Sequence, residues 1–129
     1  MSKTSNSFDT HYTLNKVGEK SPIVFIHGVG LNQDIWRPQI DFFKDYTTLT
    51  YDLLGHGKTP LSKAKVNFSD FYKQLLSLID ELEFNKIHLV GFSLGALIAR
   101  EFASKHSERL HSLIIHGSIY KRTEDQKRV

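Results

Sequence analysis

Apolar positions along this chain follow two rhythms. Ile23 to Ile26, Tyr46 to Leu54, Lys86 to Val90 and Leu110 to Ile115 carry near-continuous apolar runs rich in β-branched and aromatic residues. Runs of that length and type predict strands covered on both faces. Phe8 to Leu14 alternates apolar and polar positions, which predicts a half-buried outer strand. Between the runs the spacing changes to about 3.6 residues. Ile35, Trp36, Ile40 and Phe43 recur that way, with Pro38 early enough for a first turn. Phe71, Leu75, Leu78, Ile79 and Leu82 do so after Phe68, with Asn67 as N-cap, and a further helix is predicted over Leu94–Lys105. Lys16 to Pro22 reads as a turn.

Strands alternating with helices imply βαβ units, an α/β domain with a mostly parallel sheet and flanking helices. Ligands of such sheets sit beyond the carboxyl ends of the strands. Here those ends carry His27-Gly28, Asp52 to Gly57, Ser93 and His116-Gly117.

Composition narrows the classes. The 129 residues suffice for one domain with a real core. The net charge is +3, but residues 121–129 supply +2 of it, and the body shows no basic stripe with interleaved aromatics. That argues against nucleic acid as a partner. There is no cysteine, so disulfides and thiolate metal sites are excluded. Residues 1–7 are polar, unlike a signal peptide, and no apolar run approaches the roughly 18 residues of a membrane span. A soluble cytoplasmic protein with no membrane partner is the expectation.

Gly91-Phe92-Ser93-Leu94-Gly95 is the stretch with the most chemistry in it. A G-x-S-x-G between a buried strand and a helix suits a tight turn: the glycines let strand and helix approach while the serine hydroxyl stays exposed. The plainer alternative is a glycine-softened βα turn. A helix starting at Leu94 directs free N–H groups and a partial positive charge toward the serine. A tetrahedral oxyanion needs donors from two sides. The Leu94 N–H offers one, and the loop His27-Gly28-Val29-Gly30 can offer the other, with Val29 preferred and Gly30 as second choice. His27 reads as a structural histidine that satisfies backbone groups. Gly57-Lys58-Thr59 imitates a phosphate loop, but Asp52 stands where that pattern needs glycine and Pro60 disfavours the following helix. Asp52 reads instead as an acceptor of local backbone N–H groups.

His27-Gly28-Val29-Gly30-Leu31, Tyr51 to Gly57 and Gly91 to Gly95 occur in an order and spacing that resembles the α/β-hydrolase superfamily, in its esterase, lactonase and peptidase branch. The resemblance spans roughly residues 10–120. It implies Ser93 as nucleophile, the Val29 and Leu94 amides as the oxyanion hole, a small-molecule acyl substrate, and no metal or organic cofactor. An acyltransferase would use the same serine.

The sequence departs from that pattern after Ser93. In this superfamily an acid and then a histidine follow the nucleophile, yet only 36 residues remain. Glu101, His106 and Glu108 fall at the far end of the predicted helix, and His116 is the one downstream histidine at a carboxyl strand end. Thr123 to Gln126 has the form of a capping box, three residues before Val129. The expectation is a single partial domain over 1–129, with a flexible start at 1–7 and an interrupted helix at 121–129. It corresponds to the amino-terminal half of the fold, a core lacking the last strands and the lid. The alternative is a catalytically inactive interaction module. Its uncovered Leu110 to Ile115 edge would self-associate or pair with a complementing chain.

Overall fold

The computed structural model describes residues 2–5 and 7–117; the expected helix at 121–129 lies outside them. Among these residues six strands form one sheet: β1 (Ser2–Thr4), β2 (His11–Asn15), β3 (Ile23–Ile26), β4 (Thr48–Tyr51), β5 (Ile87–Phe92) and β6 (Leu110–His116). Their order across the sheet is β1-β2-β4-β3-β5-β6. The β1–β2 and β2–β4 pairs are antiparallel, and the β4–β3, β3–β5 and β5–β6 pairs are parallel. The connecting helices are α1 (Arg37–Phe42), preceded by a 3-10 turn at Gln33–Trp36, α2 (Phe68–Glu81) and α3 (Leu94–Lys105).

The mostly parallel α/β sheet follows from the alternation of runs, and α3 has the bounds that its periodicity predicts. Asn67 caps α2 as expected: its side chain accepts from the Asp70 N–H while the Asp70 carboxylate accepts from the Asn67 N–H. These bonds satisfy two of the donors that a helix start leaves open.

Two expected strands are shorter than their runs, and a third is notable for its exposure. Phe8 and Asp9 have φ of 61° and 50°, so the chain turns there and β2 starts only at His11. Residues 2–4, expected as part of a flexible start, form β1 and close a hairpin with β2. The Tyr46 to Leu54 run contains only the four strand residues of β4. Leu53 and Leu54 are equally buried, but their N–H groups turn to side chains of other elements instead of the ladder. Finally, the Leu110 to Ile115 run has the composition of a strand covered on both faces, but among the described residues β6 is the uncovered apolar edge that a core lacking its last strands implies, with Leu113, Ile114 and Ile115 36%, 56% and 37% exposed.

Alternation along the strands builds two cores. Val24 and Ile26 of β3, Leu49 and Tyr51 of β4 and Leu89 of β5 pack with Leu75, Leu78 and Ile79 of α2 and Ile98 and Phe102 of α3. The opposite face is smaller: Ile23 and Phe25 meet Trp36, with Ile35, Ile40 and Phe43 around them. The helix after β3 therefore lies on one face and the helix after β5 on the other. Adjacent parallel strands whose connections leave in opposite directions open a crevice at their carboxyl ends. That crevice lies between His27–Gly30 and Ser93.

Candidate active site

The turn from β5 into α3 is built on close backbone contact. A Cβ at Gly95 would collide with the carbonyl oxygens of Ile26 and His27, and one at Gly91 would collide with Gly95 and lie 2.8 Å from the Ala96 Cα. Only glycine lets the first turn of α3 sit this close to β3 and β5. Ser93, between them, has φ 56° and ψ −116°, a conformation that L-residues rarely adopt. It is held from both sides. The Ser93 N–H donates to the His116 carbonyl at 3.0 Å, and the Ser93 carbonyl accepts from Ala96 and Leu97 as α3 begins. Its side chain does not cap the helix, stays partly exposed and has no hydrogen-bond partner among the described residues.

The loop after β3 lies directly against this turn. A Cβ at Gly28 would come within 3.0 Å of the Ser93 Cβ and 3.2 Å of the Phe92 ring. His27 is fully buried and bonds backbone through both ring nitrogens. Nε2 accepts from the Leu53 N–H at 3.0 Å, so Nδ1 carries the proton and donates to the Gly28 carbonyl at 2.7 Å. The same carbonyl accepts from the Leu31 N–H at 3.2 Å. The Gly28–Val29 peptide is planar and trans, so two donors on its carbonyl aim the Val29 N–H the opposite way. Val29 is exposed, and neither its N–H nor that of Leu94 has an acceptor among the described residues. Two unused donors thus flank the serine, one on a clamped loop and one at the start of a helix whose dipole favours negative charge there. Gly30, the second choice, has φ 78° and lies one peptide beyond the clamp.

A polar network, largely illegible in the sequence, holds the loop beneath. Asp52 is buried, and its oxygens accept from the Gln33 N–H at 2.9 Å and the Lys58 N–H at 3.0 Å. It therefore ties the β3 and β4 loops together in addition to its local turn. Gln74 of α2 is fully buried; its Oε1 accepts from the Leu54 N–H, while Nε2 donates to the Asp52 carbonyl and Thr10 Oγ1. Gln74 has no sequence signature beyond being a polar residue on the apolar side of α2.

The remaining candidates stand apart from Ser93. His106 caps the carboxyl end of α3, with Nε2 2.6 Å from the Tyr72 hydroxyl, and Glu108 lies beside its ring. Glu101 pairs with Lys105. Twelve helical residues put that end about 18 Å from the serine. His116 is nearer, but its ring stacks on Phe92 at 5.5 Å between centroids and makes no hydrogen bond to Ser93 among the described residues. No carboxylate–imidazole pair addresses the serine there. No group of three or more His, Cys, Asp or Glu among the described residues could hold a metal ion. Nor is any described helix long and apolar enough to cross a membrane.

Comparison with known proteins agrees with this fold. The alpha/beta hydrolase fold family matches residues 21–127. The (E)-2-((N-methylformamido)methylene)succinate hydrolase of Acinetobacter baylyi is 33% identical over 120 residues, covering 92% of this chain and 45% of that protein. The pimeloyl-[acyl-carrier protein] methyl ester esterase of Legionella pneumophila is 34% identical over 102 residues, covering 78% and 39%. Among solved structures, a hydrolase from Pseudomonas aeruginosa superposes with a TM-score of 0.86 at 21% identity, over 98% of this chain and 49% of that one. The chain thus spans half or less of the length of these relatives.

Two outcomes follow from the site. Ser93 carries backbone strain that glycine would not, worth about 1–3 kcal/mol. Ser93→Gly is therefore expected to unfold at higher urea than Ser93→Ala, by about 1 kcal/mol; equal stability would mean the strained conformation is absent. Burial also pushes the His27 pKa below its usual 6.5. The stability tied to neutral His27 is complete above about pH 6.5 and is lost as the pH falls through the depressed value. His88, lowered likewise by burial and by nearby His111, acts in the same direction. The urea midpoint should fall on going from about pH 7.5 to 5, and fall less steeply in His27→Asn; an unchanged slope in that variant contradicts the clamp.

Proposed function

The chain belongs to the α/β-hydrolase family, and from that premise we propose that Ser93 is the nucleophile of a hydrolase acting on carboxylic esters or related acyl bonds. The observation that carries this reading is Ser93 itself: φ 56° on a turn closed by Gly91 and Gly95, with an unpartnered hydroxyl beside two unused N–H donors. The Ser93 oxygen attacks the acyl carbon, and the negative charge on the former carbonyl oxygen is received by the Val29 and Leu94 N–H groups. Such donors typically contribute about 3–4 kcal/mol each to the transition state. Collapse breaks the bond to the alcohol and leaves an acyl-serine, which water then cleaves to the acid and free Ser93.

The serine proton needs an acceptor, and none stands within reach among the described residues. A base and the group that orients it are assigned to parts of the fold outside them. A second reading, an α/β-hydrolase-like module that has kept the elbow and lost the chemistry, is favoured by the same missing partner and by the exposed β6. Turnover of a p-nitrophenyl ester tests whether a base already stands beside Ser93. The 129-residue chain is expected to show little turnover above buffer. Turnover well above buffer that disappears in Ser93→Ala would show that a base is already present, and would contradict this assignment of the missing groups.

A further inference from the structure

The ring of Phe92, the residue before Ser93, is wedged between two loops that meet at the serine. On one side a Cβ at Gly28 would come within 3.2 Å of its Cδ2. On the other a Cβ at Gly117 would come within 3.2 Å of Cε1 and 3.4 Å of Cδ1. Opposite edges of one ring therefore meet the backbone after β3 and the backbone after β6. The His116 ring lies along it, 24° from parallel with 5.5 Å between centroids. Phe92 also packs against the cluster of Ile23, Phe25 and Trp36, so the wedge is anchored below. The Ser93 N–H is bonded to the His116 carbonyl at 3.0 Å, which ties the serine itself to the same loop. His27 holds the Gly28 carbonyl through its Nδ1–H at 2.7 Å. That bond sets the direction of the Gly28–Val29 peptide. It does not set how closely the loop approaches the serine.

We infer that Phe92 is a positioning residue for the oxyanion site: its ring is the spacer that fixes the gap between Gly28 and Ser93, and with it the place of the Val29 N–H. The inference deepens the serine-hydrolase reading and rests on it for what the gap does; the spacing itself rests on the packing. Interiors are close-packed, so removing ring atoms leaves a void into which neighbouring backbone settles. Neither Gly28 nor Gly117 has a side chain to bridge such a void. A displacement of about 1 Å at a reacting centre can cost about a hundredfold. Leucine at this position stays apolar and loses the two-sided contact, whereas tyrosine keeps the ring.

The test titrates the chain with an aryl boronic acid and compares Phe92→Leu, Phe92→Tyr and Val90→Ala. Val90, on the same face of β5 and against the same cluster, controls for lost packing. Phe92→Leu is expected to weaken boronate binding at least about tenfold, and Phe92→Tyr by less than about twofold. Val90→Ala should unfold at lower urea and bind as the unaltered chain does. In NMR spectra without boronate, the His27 Nδ1–H resonance should shift in Phe92→Leu and stay in place in the other two, because the Gly28 carbonyl moves only in the first. If Phe92→Leu does not fold, Phe92→Met carries the same expectations. Undiminished affinity in Phe92→Leu overturns the inference, and so does an equal loss in Phe92→Tyr or Val90→Ala. An unmoved resonance in Phe92→Leu overturns it too. If the unaltered chain binds no boronate, the hydrolase reading fails and the resonance alone decides: a shift confined to Phe92→Leu sustains the spacer.

Discussion

The contact between the first turn of α3 and the ends of β3 and β5 is the constraint on which the rest depends. Backbone meets backbone there, and a single Cβ at Gly91 or Gly95 has no room. This approach forces Ser93 into its strained conformation and aligns the open N–H groups of α3. It also brings the chain against the loop at Gly28, where a side chain would press on Ser93. Strain at a residue held by its neighbours on both sides is a form of pre-organisation. The energy is stored during folding, and the hydroxyl stays outside the helix it begins.

The opposite wall is held by hydrogen bonds. The side chains of His27, Asp52 and Gln74 are buried; together they accept the N–H groups of Gln33, Leu53, Leu54 and Lys58 and donate to the Gly28 carbonyl, the Asp52 carbonyl and Thr10 Oγ1. Leaving one such partner unmet inside a protein costs about 1–3 kcal/mol. The network therefore acts as a fixed frame, and through the Gly28 carbonyl it sets the direction of the Val29 N–H. The strained turn and the satisfied network meet at the crevice that the strand order already requires.

Much of this was legible in the sequence, for identifiable reasons. α3, β3 and the Asn67 cap each follow from a local pattern that the tertiary structure does not contradict. The turn at Ser93 was legible because glycines two residues to either side of it, between a buried strand and a helix, mark a close backbone approach. Strand ends were harder to place. Leu53 and Leu54 are apolar and buried, but they leave the ladder because His27 and Gln74 capture their N–H groups, and those partners lie 26 and 20 residues away. Gln74 itself was invisible, since a buried glutamine and an exposed one look alike in a helical pattern. β6 was legible only through the expected missing strands and not through its own residues. Its composition asks for cover on both faces, and the described residues do not supply it.

The claim at the centre of this account is that Ser93 and the two unused N–H groups form one site for a developing oxyanion. A crystal structure of the chain treated with an aryl boronic acid tests it most directly. The account predicts a tetrahedral adduct on Ser93 Oγ with one boronate oxygen about 2.7–3.1 Å from both the Val29 and Leu94 nitrogens. An adduct whose oxygens all face solvent, with those two N–H groups bonded elsewhere, would contradict it.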